Sequence, residues 1–329
     1  MKISKKEEGI SIIICAYQRD SYLIDIVSKL LEQSIDFDVE IIVIYKGKDF
    51  LSMKKKLITV FARNFDKRFS LKCIKQISIG VARARNLGII NTIYEIIVFI
   101  DDDTFPVGNK WLHRIYETFQ KKHVIALCGK ISFYESLKKN FMYFKLYYTW
   151  WSRGGKKKFL ALKETPPSAQ LAIRKNMLLQ IGGFRGEIGR SSKLLISGED
   201  DELTSYLGIL GIRFWYDPQL IVRHRIPLYR QTLRYLSQRS FWQGPTDAIN
   251  RKYIEGFYKI SFYYVFFQMC RYSKKYIAYM LKHRRHNESY WVNLIIYLSR
   301  FLGEIYGCIY TKIFVRNIQS RPIDIYKNI

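Results

Sequence analysis

Short uninterrupted runs of β-branched residues, each followed by a segment with helical spacing, dominate the first part of the chain. We predict strands at Ile10–Ala16, Val39–Tyr45, Leu71–Ile77 and Ile96–Ile100. Runs that are apolar on both faces are typical of parallel strands covered on both sides by helices. Right-handed crossovers then give an α/β fold: an open, mostly parallel, Rossmann-like sheet flanked by helices. Ligands of such sheets bind beyond the carboxyl ends of the strands, so polar residues there are the candidates for function.

The composition changes about two-thirds of the way along the chain. We expect one domain over residues 1–227, with two halves meeting near residue 125, and a separate extension over residues 228–329 that is rich in Tyr, Phe, Lys and Arg. Its most apolar stretches are Phe257–Cys270 and Tyr290–Tyr310. They predict helices that either lie at a membrane surface or cap the core.

The charge of the chain indicates an anionic partner. The chain has 55 Lys and Arg against 28 Asp and Glu, a formal net charge of +27. Nucleic acid, anionic lipid headgroups and phosphorylated substrates all fit this excess.

The five cysteines are scattered without a CxxC pair, which argues against a disulfide framework or a zinc site and favours a reducing compartment. The charged N-terminus lacks the apolar region of a secretion signal, so we expect a cytoplasmic location.

Three consecutive aspartates, Asp101, Asp102 and Asp103, directly follow the predicted strand Ile96–Ile100. Adjacent carboxylates repel one another, and a divalent cation relieves that repulsion. In an extended backbone Asp101 and Asp103 point to the same side. Mg²⁺ or Mn²⁺ held there could neutralise a departing diphosphate. The alternative is an acidic turn that caps a helix near Gly108, and the triplet alone does not separate the two interpretations.

A second acidic cluster, Glu199–Glu202, follows Gly198. Acidic residues suit the N-terminus of a helix, which is the simpler interpretation of this segment alone. Transfer to a hydroxyl group needs a general base, however, and an acidic pair near a metal site would supply one. His224 follows the predicted strand Leu220–Arg223 and could complete a metal site, although a single histidine is more often structural.

Two further groups could contact a ligand. Gly80 opens a predicted helix that carries Arg83 and Arg85, which could bind phosphates, although a solvated basic helix face is the simpler interpretation. Trp150 and Trp151 could form a stacking platform for sugar rings, with core packing as the alternative.

In their order and spacing, these segments resemble the family 2 glycosyltransferases, inverting enzymes of the GT-A fold. The resemblance runs from about Ile10 to His224. The similar segments are Ser11–Arg19 (the first strand and "YNR" turn), Gly80–Gly88 (the "G…ARN.G" helix), Asp101–Asp103 (the DXD motif), Gly182–Phe184 with Glu199–Asp200 ("GGF…ED"), and Pro218, Val222 and His224 ("P…V.H").

The resemblance implies a role for individual residues, with a donor half up to about residue 125 and an acceptor half from 126 to 227. The implied donor-binding residues are Ala16, Tyr17, Arg19, Arg83, Arg85, Asp101 and Asp102. The implied metal ligand is Asp103, with His224 as an additional metal or diphosphate ligand. Asp101, on the same side of the extended chain as Asp103, is expected to share the ion. The implied catalytic residues are Asp200, as general base, and Glu199. The implied acceptor region includes Gly183, and Trp150 and Trp151 are the further candidates for acceptor binding.

The chain departs from the family pattern at two places. The second strand ends in Tyr45–Lys48, where the family has an acidic "DDGS"-like turn that reads the base, so the resemblance does not assign UDP as the donor nucleotide. Gln238–Trp242 lacks the Arg that precedes Trp in the QxxRW element of processive members. We therefore expect the transfer of one sugar per encounter rather than polymer synthesis.

The expected protein is a metal-dependent glycosyltransferase of polysaccharide biosynthesis that uses Mn²⁺ or Mg²⁺. Its expected partners are a nucleotide-sugar donor, a glycan or lipid-linked acceptor and an anionic surface at the cytoplasmic face of a membrane, and no nucleic acid is expected.

A nucleotidyltransferase is the first alternative, although the chain lacks a glycine-rich basic loop after its first strand. A nucleic-acid-binding protein would leave both acidic clusters unexplained. A catalytically inactive relative is conceivable from the altered Tyr45–Lys48 turn.

Overall fold

The computed structural model describes residues 8–64, 66–134, 154–189, 195–255, 267, 270, 274 and 287–314. The strands are β1 (Gly9–Tyr17), β2 (Asp38–Lys46), β3 (Phe69–Lys75), β4 (Ile96–Asp101), β5 (Thr104–Pro106), β6 (Ala126–Phe133), β7 (Lys158–Phe159), β8 (Gln170–Arg174) and β9 (Phe214–His224). The helices are α1 (Asp20–Leu31), α2 (Phe50–Arg63), α3 (Val81–Ile90), α4 (Trp111–Phe119), α5 (Lys175–Gln180), α6 (Glu199–Ile209), α7 (Leu233–Glu255) and α8 (Asn287–Phe314), with a 3₁₀ turn at Leu228–Gln231.

The strands form a single sheet in the order β3-β2-β1-β4-β8-β6-β9-β5, and β7 pairs with β9. The first four strands are parallel, as the apolar runs predict. In the second half β8 runs antiparallel to both β4 and β6, whereas β6 and β9 are parallel. The chain leaves β1 towards β2 on one side and returns to β4 on the other. A crevice therefore opens at the carboxyl ends of β1 and β4, where such sheets bind ligands.

Strand β1 separates two apolar cores. Ile12 and Ile14 pack on the face covered by α1, α2 and α4, whereas Ile13 packs on the face covered by α3, α5 and α6. Each fully buried isoleucine contributes about 2 kcal/mol of hydrophobic stabilisation. Helix α3 lies very close to β1, because a Cβ atom on Gly88 would lie 2.5 Å from Cγ2 of Ile13. This close packing fixes the position of the arginines that α3 carries.

The predicted elements of the first half are confirmed, with ends that differ by one or two residues. Helix α6 begins at Glu199, at the acidic segment whose composition suits a helix N-terminus. Strand β6 was not predicted from the sequence, and β9 is much longer than the predicted strand Leu220–Arg223. Pro218 interrupts the apolar pattern of β9, and the β6–β9 register shifts between Gly129 and Lys130. An irregular strand of this kind gives no clear period of two.

Helices α7 and α8 form a closely packed pair after the sheet. A Cβ atom on Gly303 would lie 1.9 Å from the carbonyl oxygen of Phe241, so the two backbones are in direct contact. Arg300 and Glu304 of α8 face α7: Arg300 Nη2 donates to Asp247 of α7, and Arg251 Nη2 of α7 donates to Glu304 at 3.0 Å. The helix predicted at Tyr290–Tyr310 is therefore present as α8. Most of the other predicted stretch, Phe257–Cys270, lies outside the described residues.

Candidate active site

The β1–α1 turn brings a basic side chain to the three aspartates. Cys15 pairs in register with Asp101, so the residues that follow β1 and β4 lie side by side. Gln18 has a φ of 54°, the single positive φ of a non-glycine residue in the described chain. A left-handed residue at this point turns the backbone sharply before α1. Arg19 then contacts the acidic turn.

Arg19 binds two of the three aspartates. Its Nη1 atom donates to Asp102 Oδ1 at 3.0 Å and to Asp103 Oδ2. Burial, followed by the charge of Asp103, raises the pKa of Asp102 to about 7. Burial also opposes ionisation of Asp103, but His224, Arg19 and Arg230 together outweigh it and lower the pKa of Asp103. Of these two carboxyl groups, Asp103 therefore keeps its negative charge to lower pH than Asp102 does.

Asp101, Asp103 and His224 form a group suited to a divalent cation. One ligand atom from each residue lies within 4.8 Å of the others. Strand pairing places them together, because Thr104 of β5 is opposite His224 of β9, and His224 Nε2 lies 3.2 Å from Asp103 Oδ1. Burial lowers the pKa of His224 despite the nearby aspartates, which favours the neutral ring that binds metals. Two carboxylates and one neutral imidazole are a chemically suitable donor set for Mn²⁺ or Mg²⁺.

Arg85 joins the two acidic clusters that the sequence separates. The Arg85 side chain is buried, with Nη1 2.7 Å from Glu199 Oε1 and Nη2 3.2 Å from Asp101 Oδ1. The ring of Phe184 packs against the guanidinium, with its centroid 5.2 Å from Cζ. Arg83, two residues earlier on α3, is exposed instead. The two arginines therefore have different surroundings: Arg85 is held by carboxylates, whereas Arg83 remains accessible to a ligand.

The second acidic cluster begins α6 and holds its residues in different environments. Glu199 is buried against Arg85, while the neighbouring Asp200 is only partly buried. Both the backbone nitrogen and Oγ of Ser168 donate to Asp200 Oδ2, each at 3.1 Å. Burial and the charges of Asp200 and Asp247 raise the pKa of Asp201 to about 8. Asp200 is thus held in a fixed orientation by Ser168 and remains partly accessible.

The structure brings most of the predicted site residues to one edge of the sheet. Those joined there by direct contacts are Arg19, Arg85, Asp101, Asp102, Asp103, Glu199 and His224. Tyr17 is 50% exposed beside this edge, whereas the side chain of Ala16 belongs to the core, so Ala16 offers a ligand only its backbone. Gly183 has a φ of 65° in the turn that ends α5, where its nitrogen donates to Leu178. Trp150 and Trp151 lie outside the described residues.

Two polar residues of the site were not predicted from the sequence. Arg230, in the 3₁₀ turn after β9, places Nη1 3.7 Å from Asp103 Oδ2. Ser168 orients Asp200 from the loop before β8. A basic residue shortly after a strand that ends in His224 is a signal for Arg230, but it is a weak one in so basic a chain. No sequence signal links Ser168 to Asp200.

The altered turn after β2 has a defined structure. Lys46 Nζ donates to the carbonyl oxygens of Ile77, at 2.7 Å, and Ser78, at 3.1 Å. These contacts join the end of β2 to the loop that precedes Gly80 and α3. Lys46 also lies opposite Tyr17 in the β1–β2 register. A cation therefore stands at this position of the sheet edge, beside the half-exposed tyrosine.

This fold and site define a GT-A glycosyltransferase. The family model described as Glycosyl transferase family 2 matches residues 11–179, which is more than half of the chain, and the chain belongs to this family. The family favours glycosyl transfer over the nucleotidyltransferase and nucleic-acid-binding alternatives. No curated protein matches the chain in a sequence comparison.

Solved structures of low sequence identity share the fold. The mannosyltransferase PcManGT from Pyrobaculum calidifontis, in complex with GDP-Man and Mn²⁺, is 14% identical with a TM-score of 0.52, and the match covers 93% of this chain and 88% of that one. GalNAc-T7, with UDP, GalNAc and Mn²⁺, is 12% identical with a TM-score of 0.50, covering 74% of this chain and 51% of its own.

Proposed function

We propose that this chain is an inverting glycosyltransferase that moves one sugar from a nucleotide-diphosphate sugar to a hydroxyl group of a glycan or lipid-linked saccharide. The observation that carries the proposal is the contact of Arg85 with both Asp101 and Glu199. It joins the group suited to a metal ion to the acidic cluster that offers a base. A donor diphosphate at the first and an acceptor hydroxyl at the second would meet across this arginine.

Asp101, Asp103 and His224 would hold Mn²⁺ or Mg²⁺, and Mn²⁺ accompanies the nucleotide or nucleotide sugar in the PcManGT and GalNAc-T7 structures. When bound, the ion supplies positive charge that stabilises the departing diphosphate. Arg19 and Arg230 lie against Asp103 and would add guanidinium donors for the phosphate oxygens. The exposed Arg83 would reach the donor from α3.

Asp200 is the proposed general base. Glu199 is already engaged by Arg85, whereas Asp200 is partly accessible and fixed by Ser168. The acceptor oxygen attacks the anomeric carbon as its proton moves to the Asp200 carboxylate, and the bond from that carbon to the diphosphate oxygen breaks. Attack from the face opposite the leaving group inverts the anomeric configuration. Glu199 acts as a positioning residue through its contact with Arg85.

The test is a melting-temperature panel of GDP, UDP, CDP, ADP and their sugar conjugates, with Mn²⁺, with Mg²⁺ or with chelator. We expect one nucleotide to raise the melting temperature only when the metal is present. Asp200→Asn should then retain this shift and lose sugar transfer by about a thousandfold or more. Normal turnover by Asp200→Asn would exclude its role as base. A wild-type protein that responds to no nucleotide and hydrolyses no nucleotide sugar would contradict the proposed transfer.

The C-terminal helices support a second proposal, that the enzyme works at an anionic membrane surface. Among the described residues one helix, Trp291–Thr311, has the length and hydropathy of a membrane-crossing segment. Its exposed apolar residues recur at helical spacing along one face: Trp291, Ile295, Leu298, Leu302, Ile305 and Ile309. We call these six residues the apolar stripe of α8.

The other face of α8 favours a helix lying on the membrane rather than across it. Arg300 and Glu304 lie opposite the apolar stripe and pair with Asp247 and Arg251 of α7. These ion pairs tie α8 to α7 and the rest of the domain. The sequence just before α8, residues 271–286, carries six Lys and Arg that would attract anionic lipid. An amphipathic helix with a basic neighbourhood is typical of peripheral membrane binding, which suits a lipid-linked acceptor.

A further inference from the structure

We propose that Thr246 and Asn250 of α7 are positioning residues for the general base, which they hold through the backbone of the loop that precedes it. The catalytic part of this inference rests on the proposed role of Asp200. It assigns a function to the first helix of the C-terminal extension.

Both side chains bind the backbone immediately before the acidic cluster. The nitrogen of Ser197 donates to Thr246 Oγ1 at 3.2 Å, and Asn250 Nδ2 donates to the carbonyl oxygen of Gly198 at 3.2 Å. Thr246 and Asn250 are almost fully buried, so these bonds are shielded from water. The same Gly198 carbonyl accepts the first hydrogen bond of α6, from the nitrogen of Glu202 at 2.9 Å. Asn250 of α7 and the first turn of α6 therefore bind the same atom, the carbonyl oxygen of Gly198.

The packing at this point leaves the loop little freedom. A Cβ atom on Gly198 would lie 2.6 Å from both Asn250 Nδ2 and Thr246 Cγ2. Gly198 also has a φ of 100°, which L side chains rarely adopt. Glycine is thus required for its conformation and for the close approach of α7. Arg239, two turns earlier on α7, donates from Nη2 to Ser197 Oγ at 2.7 Å.

Helix α7 is itself held rigidly enough to act as a support. Thr246 Oγ1 donates to the carbonyl oxygen of Trp242 at 2.9 Å, which fixes the rotamer of its side chain. Asp247, the next residue, accepts from the buried Arg300 of α8. The glycine contacts of the α7–α8 pair prevent the two helices from sliding apart without loss of packing. A general base supported in this way keeps its carboxylate within the small distance that proton transfer requires.

The variants Thr246→Val and Thr246→Ser test the anchor. Valine keeps the shape of the side chain and removes the acceptor for Ser197, whereas serine keeps the hydroxyl. Hydrogen exchange of peptides covering residues 195–204 should speed up at least fivefold in the valine variant and stay close to wild type in the serine variant. Leu236→Ala is the matched control, because it removes buried packing from α7 without touching this loop. This variant should lower the melting temperature without a faster hydrogen exchange that is confined to residues 195–204.

Turnover then decides the catalytic part. With the nucleotide sugar found in the donor panel, we expect kcat of Thr246→Val to fall about ten- to a hundredfold, while the Mn²⁺-dependent shift with the nucleoside diphosphate stays unchanged. Unchanged exchange in Thr246→Val would overturn the anchor. Faster exchange with normal kcat, or an equal loss of kcat in Leu236→Ala, would overturn the positioning role. A wild-type protein inactive on every donor would refute the proposed function, whereas the exchange result would still decide the anchor.

Discussion

The guanidinium of Arg85 donates a 2.7 Å hydrogen bond to the carboxylate of Glu199, and both side chains are buried. This contact joins α3, which carries Arg85, to α6, which begins with the second acidic cluster. The second terminal nitrogen of the same guanidinium, Nη2, donates to Asp101. One planar cation thereby sets the separation between the proposed donor and acceptor sites.

Replacing Arg85 with methionine should impair both stability and transfer. The change leaves Glu199 buried without its cation, and breaking a buried pair in this way costs about 3 kcal/mol of unfolding free energy. Denaturant unfolding and sugar-transfer assays measure the two effects, and we expect turnover to fall about a hundredfold. Arg83→Met, on the exposed face of the same helix, should change stability by less than about 0.5 kcal/mol. Equal stability losses in the two variants would refute the bridging role of Arg85.

Replacing Asp103 with asparagine should remove metal-dependent nucleotide binding. The carboxylate is one of the three members of the metal group, and an amide is a much poorer ligand for a hard cation. In the melting-temperature panel, the shift that requires Mn²⁺ should disappear while the protein remains folded. Asp36→Asn, which changes a highly exposed carboxylate, is the control and should leave the shift intact. A full shift in Asp103→Asn would exclude Asp103 as a ligand.

Much of this site could be predicted from the sequence because its residues follow strands with strong periodic patterns. Ile96–Ile100 is apolar throughout, so Asp101 had to lie at the end of a buried strand. The contacts of Arg85 could not be predicted in the same way, since no spacing relates residue 85 to residue 199. Ser168 was missed for the same reason.

The Asp201 carboxyl should make stability depend on pH. Its pKa of about 8 in the folded protein lies above the ordinary value of about 4, so the folded state keeps a proton that the unfolded chain releases. The stabilisation is complete below about pH 4 and is lost as the pH rises towards 8. Relative to wild type, Asp201→Asn should therefore gain about 1.4 kcal/mol of unfolding free energy for each unit of pH between about 4 and 8.

Urea unfolding at several pH values measures this difference. Asp38→Asn, at an exposed position, is the control and should follow the wild-type curve. If the curves of Asp201→Asn and wild type run parallel from pH 4 to pH 8, burial of this carboxyl does not raise its pKa.

A charge in the apolar stripe of α8 should weaken membrane binding. Leu302 is 56% exposed near the middle of the stripe, so Leu302→Glu places a carboxylate where the lipid would be without disturbing the α7–α8 contact. We expect sedimentation with vesicles that contain anionic lipid to fall at least tenfold. Leu51→Glu, at a leucine of α2 that is 69% exposed, is the matched control and should bind as wild type does.

Two further conditions separate the forces in this experiment. Added salt should weaken wild-type binding to anionic vesicles, because part of the attraction is electrostatic. Neutral vesicles should bind the wild type less than anionic vesicles do. Equal binding of Leu302→Glu and wild type to anionic vesicles would refute the role of the apolar stripe.

The pairing of β5 with β9 places Thr104 opposite His224, which has a consequence for folding during synthesis. During synthesis on a ribosome, the first four parallel strands emerge long before His224 is translated. The nascent sheet can fold early, because domains generally form from the N-terminal side. Asp103 nevertheless lacks its histidine until β9 docks at the far side of the sheet. An unfinished chain therefore cannot bring Asp101, Asp103 and His224 together, and the proposed metal site forms only after β9 has paired with β5.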